Sequence, residues 1–409
     1  MKVREKTNYL IIGQGAAGTA AANELRRLDD RAAVTVIAEE TEGFYSRIDL
    51  PDILCGQRHP QDALLQSLER FQTNGIDCLT GTRVVRIVPG EHAVELATGQ
   101  WLNYDKLLLA TGSRPVVLKI PGALAEGNYT LWTMEQALRL AQAAAKAQAA
   151  VVIGAGLIGL KTALALRKVG LQVTVLERQS RIMPQQLDET GAAILEDALK
   201  AGGIEVFTGA EVEAMETNGG KICGITSSRG RLKCELAVFA AGVRPDTAAA
   251  QTAGIHIGPG IVADEYLRTS DADIYTAGDA ATVIDVFGNR VLSAGWPAAV
   301  EQGTIAARNM SGCLAERYTG YVAKNSVEVA GVPLVSVGNV QAAGTDTLAQ
   351  RSGNVYKKLV IKDNRLQGFL LMGNIREAGI LAGAVVRDEA AGRIAATGGS
   401  CSYVDLMAL

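Results

Sequence analysis

The sequence predicts an α/β protein: two Rossmann-like dinucleotide-binding domains followed by a small α+β C-terminal domain. Three observations predict it. An apolar, strand-length run, Tyr9–Ile12, breaks into Gly13, Gly15 and Gly18 and continues as an Ala-rich helical run, Thr19–Leu25. Val151–Gly159 repeats the arrangement with Gly154, Gly156 and Gly159. Beyond Tyr318 no such loop recurs, and short alternating or apolar runs take over.

In the first loop, Gly13 suits a tight turn, Gly15 lets backbone approach a pyrophosphate, and Gly18 lets helix pack on strand. Ala16 and Ala17 complete the cradle, and the helix N-terminus offers free N–H groups to phosphate oxygens. The next strand, Ala33–Ala38, ends in Glu39, 39 − 18 = 21 residues past Gly18. That is close to the ~20 residues usual for an acid on a ribose 2′-hydroxyl. Glu40 is the adjacent candidate. In the second loop, Leu157 and Ile158 stand between Gly156 and Gly159, the next strand is Val173–Leu176, and Glu177 closes it. Two loops imply two dinucleotides, and hydride exchange between a nicotinamide and a flavin is the chemical reason to hold both. Spacing alone does not say which loop takes which.

Length, at 409 residues, suggests two or three domains, and 48% hydrophobic residues supply a core for each. A net charge of −3 gives no footprint for nucleic acid or an anionic membrane. Met1–Thr7 is charged and lacks the apolar core of a secretory signal, and no apolar run reaches the ~18 residues of a membrane span. Cys55, Cys78, Cys223, Cys234, Cys313 and Cys401 form no Cys-x-x-Cys pair, so no metal site is expected. Reduced thiols and a cytoplasmic location are expected.

Taken in order, the remaining elements carry further candidates. Arg47, in Phe44–Pro51, lies just past the ribose acid, where a guanidinium reaches a pyrophosphate. Leu64–Asn74 reads as a short helix, and Gly75–Thr80 and Thr82–Val88 read as strands. A hairpin-like region surrounds Gly99. Lys106–Leu109 is a buried strand running into Ala110, Thr111 and Gly112, small residues that let backbone lie close to a ligand. Met134–Ala147, Leu160–Val169 and Asp188–Ala201 read as helices, Ile204–Phe207 as a strand, and Glu211–Leu236 as β-rich. Ala237–Ala241 ends in Gly242–Pro245, an echo of Gly112–Pro115. Ile274–Ala281 places Gly278 and Asp279 at a strand's end, where open α/β sheets bind ligands. Trp296 opens a helix to about Met310, with Pro297 at its first position and the N–H groups of Ala298 and Ala299 free. A helix N-terminus aimed at a flavin ring stabilises the charge that reduction builds there, with Trp296 as an aromatic wall. Val327–Val329, Leu334–Val337, Tyr356–Ile361 and Gln367–Leu371 read as strands and Ala378–Val386 as a helix.

Five motifs in order, Gly13–Gly18, Ala110–Gly112, Gly154–Gly159, Gly242–Pro245 and Thr276–Asp279, carry a family resemblance over nearly the whole chain. The chain resembles the pyridine nucleotide–disulfide oxidoreductase superfamily, in its NADH–rubredoxin, ferredoxin and nitrite reductase-type branch. The resemblance implies FAD on the first loop and NAD(H) on the second. It implies an FAD domain split into 1–116 and 237–316 by an NAD domain at 117–236, with 317–409 as an interface or dimerisation domain. Val84 matches the position whose backbone reads the FAD adenine, and Asp279 the ribityl-binding aspartate.

The departures bear on activity. Disulfide-reducing relatives carry cysteines on the first FAD helix; here Cys55 comes nearest but lies late, and a buried structural thiol is the other reading. Lys161 stands where relatives carry a glutamate meeting the nicotinamide, and an ammonium cannot accept the same hydrogen bonds. Asp52 replaces a common lysine and Trp132 a common arginine. Glu177 favours NADH over NADPH, although Arg178 and Arg181 are nearby. The expectation is an FAD-dependent oxidoreductase passing electrons between NADH and an iron–sulfur or rubredoxin-type carrier or partner subunit. No catalytic acid or base is required; Lys161 and Trp296 stand near the reacting rings. An NADH oxidase or peroxidase using Cys55 and a non-enzymatic redox sensor are the alternatives.

Overall fold

The computed structural model describes residues 8–312, 315–363 and 365–387. The chain divides into two compact units: one from Met1–Arg47, His59–Arg114 and Val243–Tyr321, the other from Ile48–Arg58, Pro115–Gly242 and Val322–Leu409. Met1–Thr7, Cys313 and Cys401 lie outside the described residues, as does the end of the expected C-terminal domain.

The parallel strands are, in chain order, β1 (Asn8–Ile12), β2 (Ala33–Ile37), β3 (Asp77–Leu79), β4 (Lys106–Leu109), β5 (Asn128–Tyr129), β6 (Ala149–Ile153), β7 (Gln172–Glu177), β8 (Ile204–Thr208), β9 (Leu236–Phe239) and β10 (Ile274–Thr276). The C-terminal strands are β11 (Lys324–Val329), β12 (Val332–Gly338), β13 (Asp346–Ser352), β14 (Val355–Lys362) and β15 (Arg365–Met372). Helices used below are α1 (Ala16–Leu28), α2 (Leu50–Leu54), α3 (Leu68–Thr73), α4 (Met134–Ala144), α5 (Leu157–Lys168), α6 (Glu189–Ala201), α7 (Trp296–Ser311) and α8 (Ala378–Arg387).

The first unit is a five-stranded parallel sheet in the order β10-β4-β1-β2-β3. Both faces are covered, which is why its strands read as continuous apolar runs. Ile11, Val36 and Leu108 face a cluster with Leu25 and Phe71. Leu10, Ile12, Ile37, Leu107 and Leu109 face Ile87, Val94 and Leu96 of a three-stranded antiparallel sheet, Val84–Val88, Ala93–Leu96 and Trp101–Asn103. The strand order reverses between β1 and β4, so the Gly13–Gly18 and Ala110–Gly112 loops leave the sheet side by side at its carboxyl edge.

The second unit repeats the plan as β5-β9-β6-β7-β8, all parallel. Its antiparallel partner, Val212–Asn218, Lys221–Ser227 and Gly230–Lys233, packs Met215 and Ile225 against Val151, Ile153 and Phe239. Thr133 and Gln136 form a reciprocal capping box that starts α4. α2 packs on α4 and α5. β11–β15 form an antiparallel sheet, β11-β12-β15-β14-β13, covered by α8.

Two elements differ from expectation. Leu64–Gln66 is a strand paired with Phe44–Tyr45, not helix, because Ser67 caps α3 by accepting the Arg70 N–H and so fixes its start. β13 lacks any apolar alternation because it is an edge strand, exposed almost throughout.

α1 and α7 are locked near their far ends by ions. Glu24, 9% exposed, accepts two hydrogen bonds from Arg27 and one from Arg308, and Arg308 also pairs with Glu316. The Arg27 guanidinium, with Arg308 beside it, holds the Glu24 carboxyl at about 2 against burial. A folded-state value below the ordinary 4.5 means stability present above pH 4.5 and lost as pH falls toward 2. Urea unfolding of wild type and Glu24→Gln should therefore differ by about 1–2 kcal/mol at pH 7, modest because the arginines reach solvent. The curves should converge over that acid interval; a gap that stays constant refutes the ionic lock.

Candidate functional site

Within each unit the glycines of the loop divide by what a side chain would meet. A Cβ at Gly13 would stand 2.0 Å from the Ala110 carbonyl oxygen, and one at Gly18 would stand 1.9 Å from that of Gly13. At Gly154 and Gly159 the distances are 2.3 Å to the Ala240 oxygen and 2.0 Å to the Gly154 oxygen. These four are required by packing, and Gly13 and Gly154 also have φ of +111° and +109°. Gly15 and Gly156 differ. Each has an ordinary φ, −74° and −75°, and beyond its own chain neighbours nothing lies within 4 Å of an added Cβ. Each is the N-cap of its helix, without a side-chain cap. Protein packing does not need these two glycines; a phosphate seated on the helix N-terminus does. Both loops therefore fit a dinucleotide.

Around the first loop, Ala110 is buried at the end of β4. The Thr111 hydroxyl donates to the Asp246 carbonyl at 2.6 Å, and the Asp246 N–H donates to the Gly112 carbonyl at 2.9 Å. Arg114 bridges Glu39 (2.6 Å) and Asp246 (2.7 Å). Glu40 instead accepts from the Tyr45 hydroxyl and from Arg47. Each candidate ribose acid is thus already partnered by an arginine, leaving acceptor capacity on each carboxylate. Val84 is buried and starts the antiparallel sheet opposite Leu96. Sequence reasoning passed over Arg114 and Tyr45 as partners; the Ser-Arg-Pro run and its Val-Arg-Pro echo were the available signal.

Asp279 follows Gly278 (φ +76°) in the turn after β10. Its carboxylate accepts from the Ser113 hydroxyl at 3.2 Å and the Gly295 N–H at 3.4 Å. Burial pushes its pKa up, against these two donors and the Arg47 charge. Trp296 stacks on Phe44 at 5.2 Å. The helix N-terminus corrects one expectation: α7 begins at Trp296, so Pro297 is its second residue and the Ala299 N–H already donates to the Gly295 carbonyl at 3.0 Å. Trp296 and Ala298 keep the first-turn N–H groups.

In the second unit, Glu177 is 9% exposed and accepts the N–H groups of Ala155 and Gln179, both at 2.7 Å. Arg181 is anchored on the carbonyls of Leu187 and Pro184 and on Glu189, whereas Arg178 is exposed. Leu157 and Ile158 open α5, and Gly242 (φ +96°) is open on its Cβ side. Lys161, on the first turn and a half of α5, makes no ion pair among the described residues. Cys55 ends α2 and donates to the Asp52 carbonyl at 3.5 Å. Burial pushes the Cys78 and Cys234 thiols up to about 11 and about 12, so both stay protonated and unreactive at neutral pH.

The glycine division generates a test. Gly15→Ala and Gly156→Ala should fold with losses of no more than about 1 kcal/mol in the apoprotein, the worth of glycine over alanine at an N-cap, since no packing contact is lost or strained. Each should weaken one dinucleotide by about tenfold or more, because a methyl displaces a phosphate. Calorimetry and titration of each cofactor measure both. A loss in Gly15→Ala as large as that of Gly18→Ala, measured alongside, would put that glycine with Gly13 and Gly18 instead.

Comparison with known proteins places this geometry. The chain is 31% identical over 384 residues, 91% of its length, to the assimilatory nitrate reductase electron transfer subunit of Bacillus subtilis, and spans only 48% of that protein. It is 28% identical to the NADH-dependent phenylglyoxylate dehydrogenase subunit epsilon of Aromatoleum evansii, covering 94% of this chain and 92% of that one. A ferredoxin reductase structure from Rhodopseudomonas palustris matches with a TM-score of 0.86 at 28% identity, over 92% of this chain and 93% of the other. No described helix is long and apolar enough to cross a membrane. Residues 324–389 match the rubredoxin NAD+ reductase C-terminal domain, and residues 7–303 match the pyridine nucleotide–disulphide oxidoreductase model. The chain belongs to the pyridine nucleotide–disulphide oxidoreductase family, whose dinucleotides are FAD and NAD(H).

Proposed function

We propose that this chain is an FAD-dependent oxidoreductase that carries electrons between NADH and an iron–sulfur or rubredoxin-type protein, as a free reductase or as a subunit of a larger assembly. The observation that carries the reading is the pair of loops, each with a middle glycine that only a ligand explains. The relatives named above, an electron transfer subunit, a dehydrogenase subunit and a ferredoxin reductase, support the class of partner. So does the rubredoxin-reductase type of C-terminal domain. A cytoplasmic setting is the matching proposal for location, supported by the free thiols Cys55, Cys78, Cys223 and Cys234.

In this reading the first loop takes FAD and the second NAD(H). Together the cofactors supply hydride transfer and one-electron release, so no side chain need act as acid or base. The chain binds and orients. The N–H groups of Gly15–Gly18 and of α5's first turn hold pyrophosphate oxygens. Glu39, with Glu40 beside it, and Glu177 accept ribose hydroxyls. Asp279 accepts from the ribityl chain. The free N–H groups of Trp296 and Ala298 favour electron density on whatever ring stands before α7. Val84 and the Ala110–Gly112 backbone border the adenine and the flavin, and Arg47 the pyrophosphate.

Stopped-flow mixing with NADH should bleach the flavin, and a ferredoxin or rubredoxin should restore its colour faster than dissolved oxygen does. Fast restoration by oxygen that disappears in Cys55→Ser would instead establish the oxidase reading. Glu177→Ala should raise KM for NADH by about 10- to 100-fold, the worth of hydrogen bonds to a charged group, and leave NADPH nearly unchanged. Equal losses for both nucleotides would remove Glu177 from the ribose site.

A further inference from the structure

We propose that Gln302, assisted by Ser293, is the positioning residue that places Asp279 for the flavin's ribityl chain. The proposal rests on FAD occupying the first loop. Gln302 lies inside α7 and is fully buried; Ser293 is 1% exposed. Polar atoms so deep need partners, and the Gln302 Oε1 and the Ser293 hydroxyl find theirs on one residue, Gly278.

The sheet stops short of this turn. The Ala277 N–H still donates to the Leu109 carbonyl at 3.2 Å, the last rung between β10 and β4. The next N–H, that of Gly278, would be an orphan. The Gln302 Oε1 accepts it at 2.9 Å. On the other side of the same residue, the Ser293 hydroxyl donates to the Gly278 carbonyl at 3.0 Å and lies 3.2 Å from the Gln302 Oε1. Two side chains therefore reach both backbone groups of Gly278, whose carbonyl also accepts the Ala281 N–H. Its φ of +76° is available to glycine alone at low cost, and its Cβ position stands 3.1 Å from the Ala17 side chain. The turn is pinned against the first loop's helix, one residue before Asp279. By contrast, the direct bonds to the Asp279 carboxylate are long, 3.2 and 3.4 Å. The backbone, rather than those donors, fixes where the carboxylate sits.

The test compares FAD dissociation constants with unfolding midpoints of the apoproteins. Gln302→Met keeps the volume and removes the acceptor; Gln302→Glu keeps an acceptor oxygen; Ile305→Val loosens the same helix without touching Gly278. Gln302→Met should bind FAD about 30-fold more weakly and release it faster, beyond anything its unfolding midpoint accounts for. Gln302→Glu should recover most of the affinity, and Ile305→Val should bind FAD like wild type. If Gln302→Met does not fold, Ser293→Ala carries the same comparison with an expected loss of about fivefold. Wild-type affinity in Gln302→Met, or in Ser293→Ala where that is the variant measured, overturns the proposal alone. Failure of the wild-type protein to take up FAD overturns the assignment of the first loop and the proposal with it.

Discussion

The carbonyl of Ala17 lies 2.1 Å from where a side chain at residue 303 would begin, so α7 can rest on α1 only through the bare backbone of Gly303. Much of the first unit's site depends on that approach. α1 brings the Gly13–Gly18 loop, and α7 brings Trp296 at one end and Gln302 one residue before the contact. A methyl inserted there would separate the helices and carry the Gly278 turn with them, since close-packed interiors transmit small displacements. The Glu24–Arg308 pair fastens the same two helices about two turns farther along α1. Backbone contact near the site and ion pairing away from it suit their places. A buried charge beside the loop would compete with the phosphate for the helix N-terminus.

Both units solve one steric problem in the same way. Gly13 and Gly154 sit on carbonyls at matching positions, Ala110 and Ala240, at the ends of strands in matching sheet positions. Their N–H groups donate to Ile37 and Leu176. That pairing puts Ala38 level with Glu177. Glu39 is therefore one residue beyond the counterpart of Glu177, which accounts for its different neighbours.

Most of this was legible because glycine and apolar periodicity report constraints that act locally. Gly13, Gly18, Gly154 and Gly159 are forced by contacts within their own strand–helix units or with the neighbouring strand, and the sequence displays them directly. β1, β4, β6 and β9 are buried on both faces and read as apolar runs. What stayed hidden depends on distant residues. Leu64–Gln66 is a strand because Phe44–Tyr45 lies beside it, and no local pattern announces that partner. β13 owes its shape to pairing with β14 alone. Gln302 looks like any polar residue of a helix until the end of β10 arrives beneath it. Ala299 differed by one residue in where α7 starts, which moved its N–H from free to bonded.

The two acids show how a shared scaffold diverges in what it can recognise. Glu177 is buried and held by two backbone donors, so its carboxylate is oriented before any ligand arrives and little side-chain entropy remains to be lost. Glu39 is half exposed and tied to Arg114, which also holds Asp246. Its orientation depends on Arg114 and on the Gly112–Asp246 backbone pairing rather than on its own strand. Under the proposed function the second loop is thereby suited to discriminate, since a fixed, desolvated carboxylate would accept a ribose diol and repel an added phosphate. Under the same proposal the first loop gains its hold through many weak placements spread over α1, β4, β10 and α7. Such an arrangement suits a cofactor that stays bound, while a single rigid selector suits one that exchanges at every turnover.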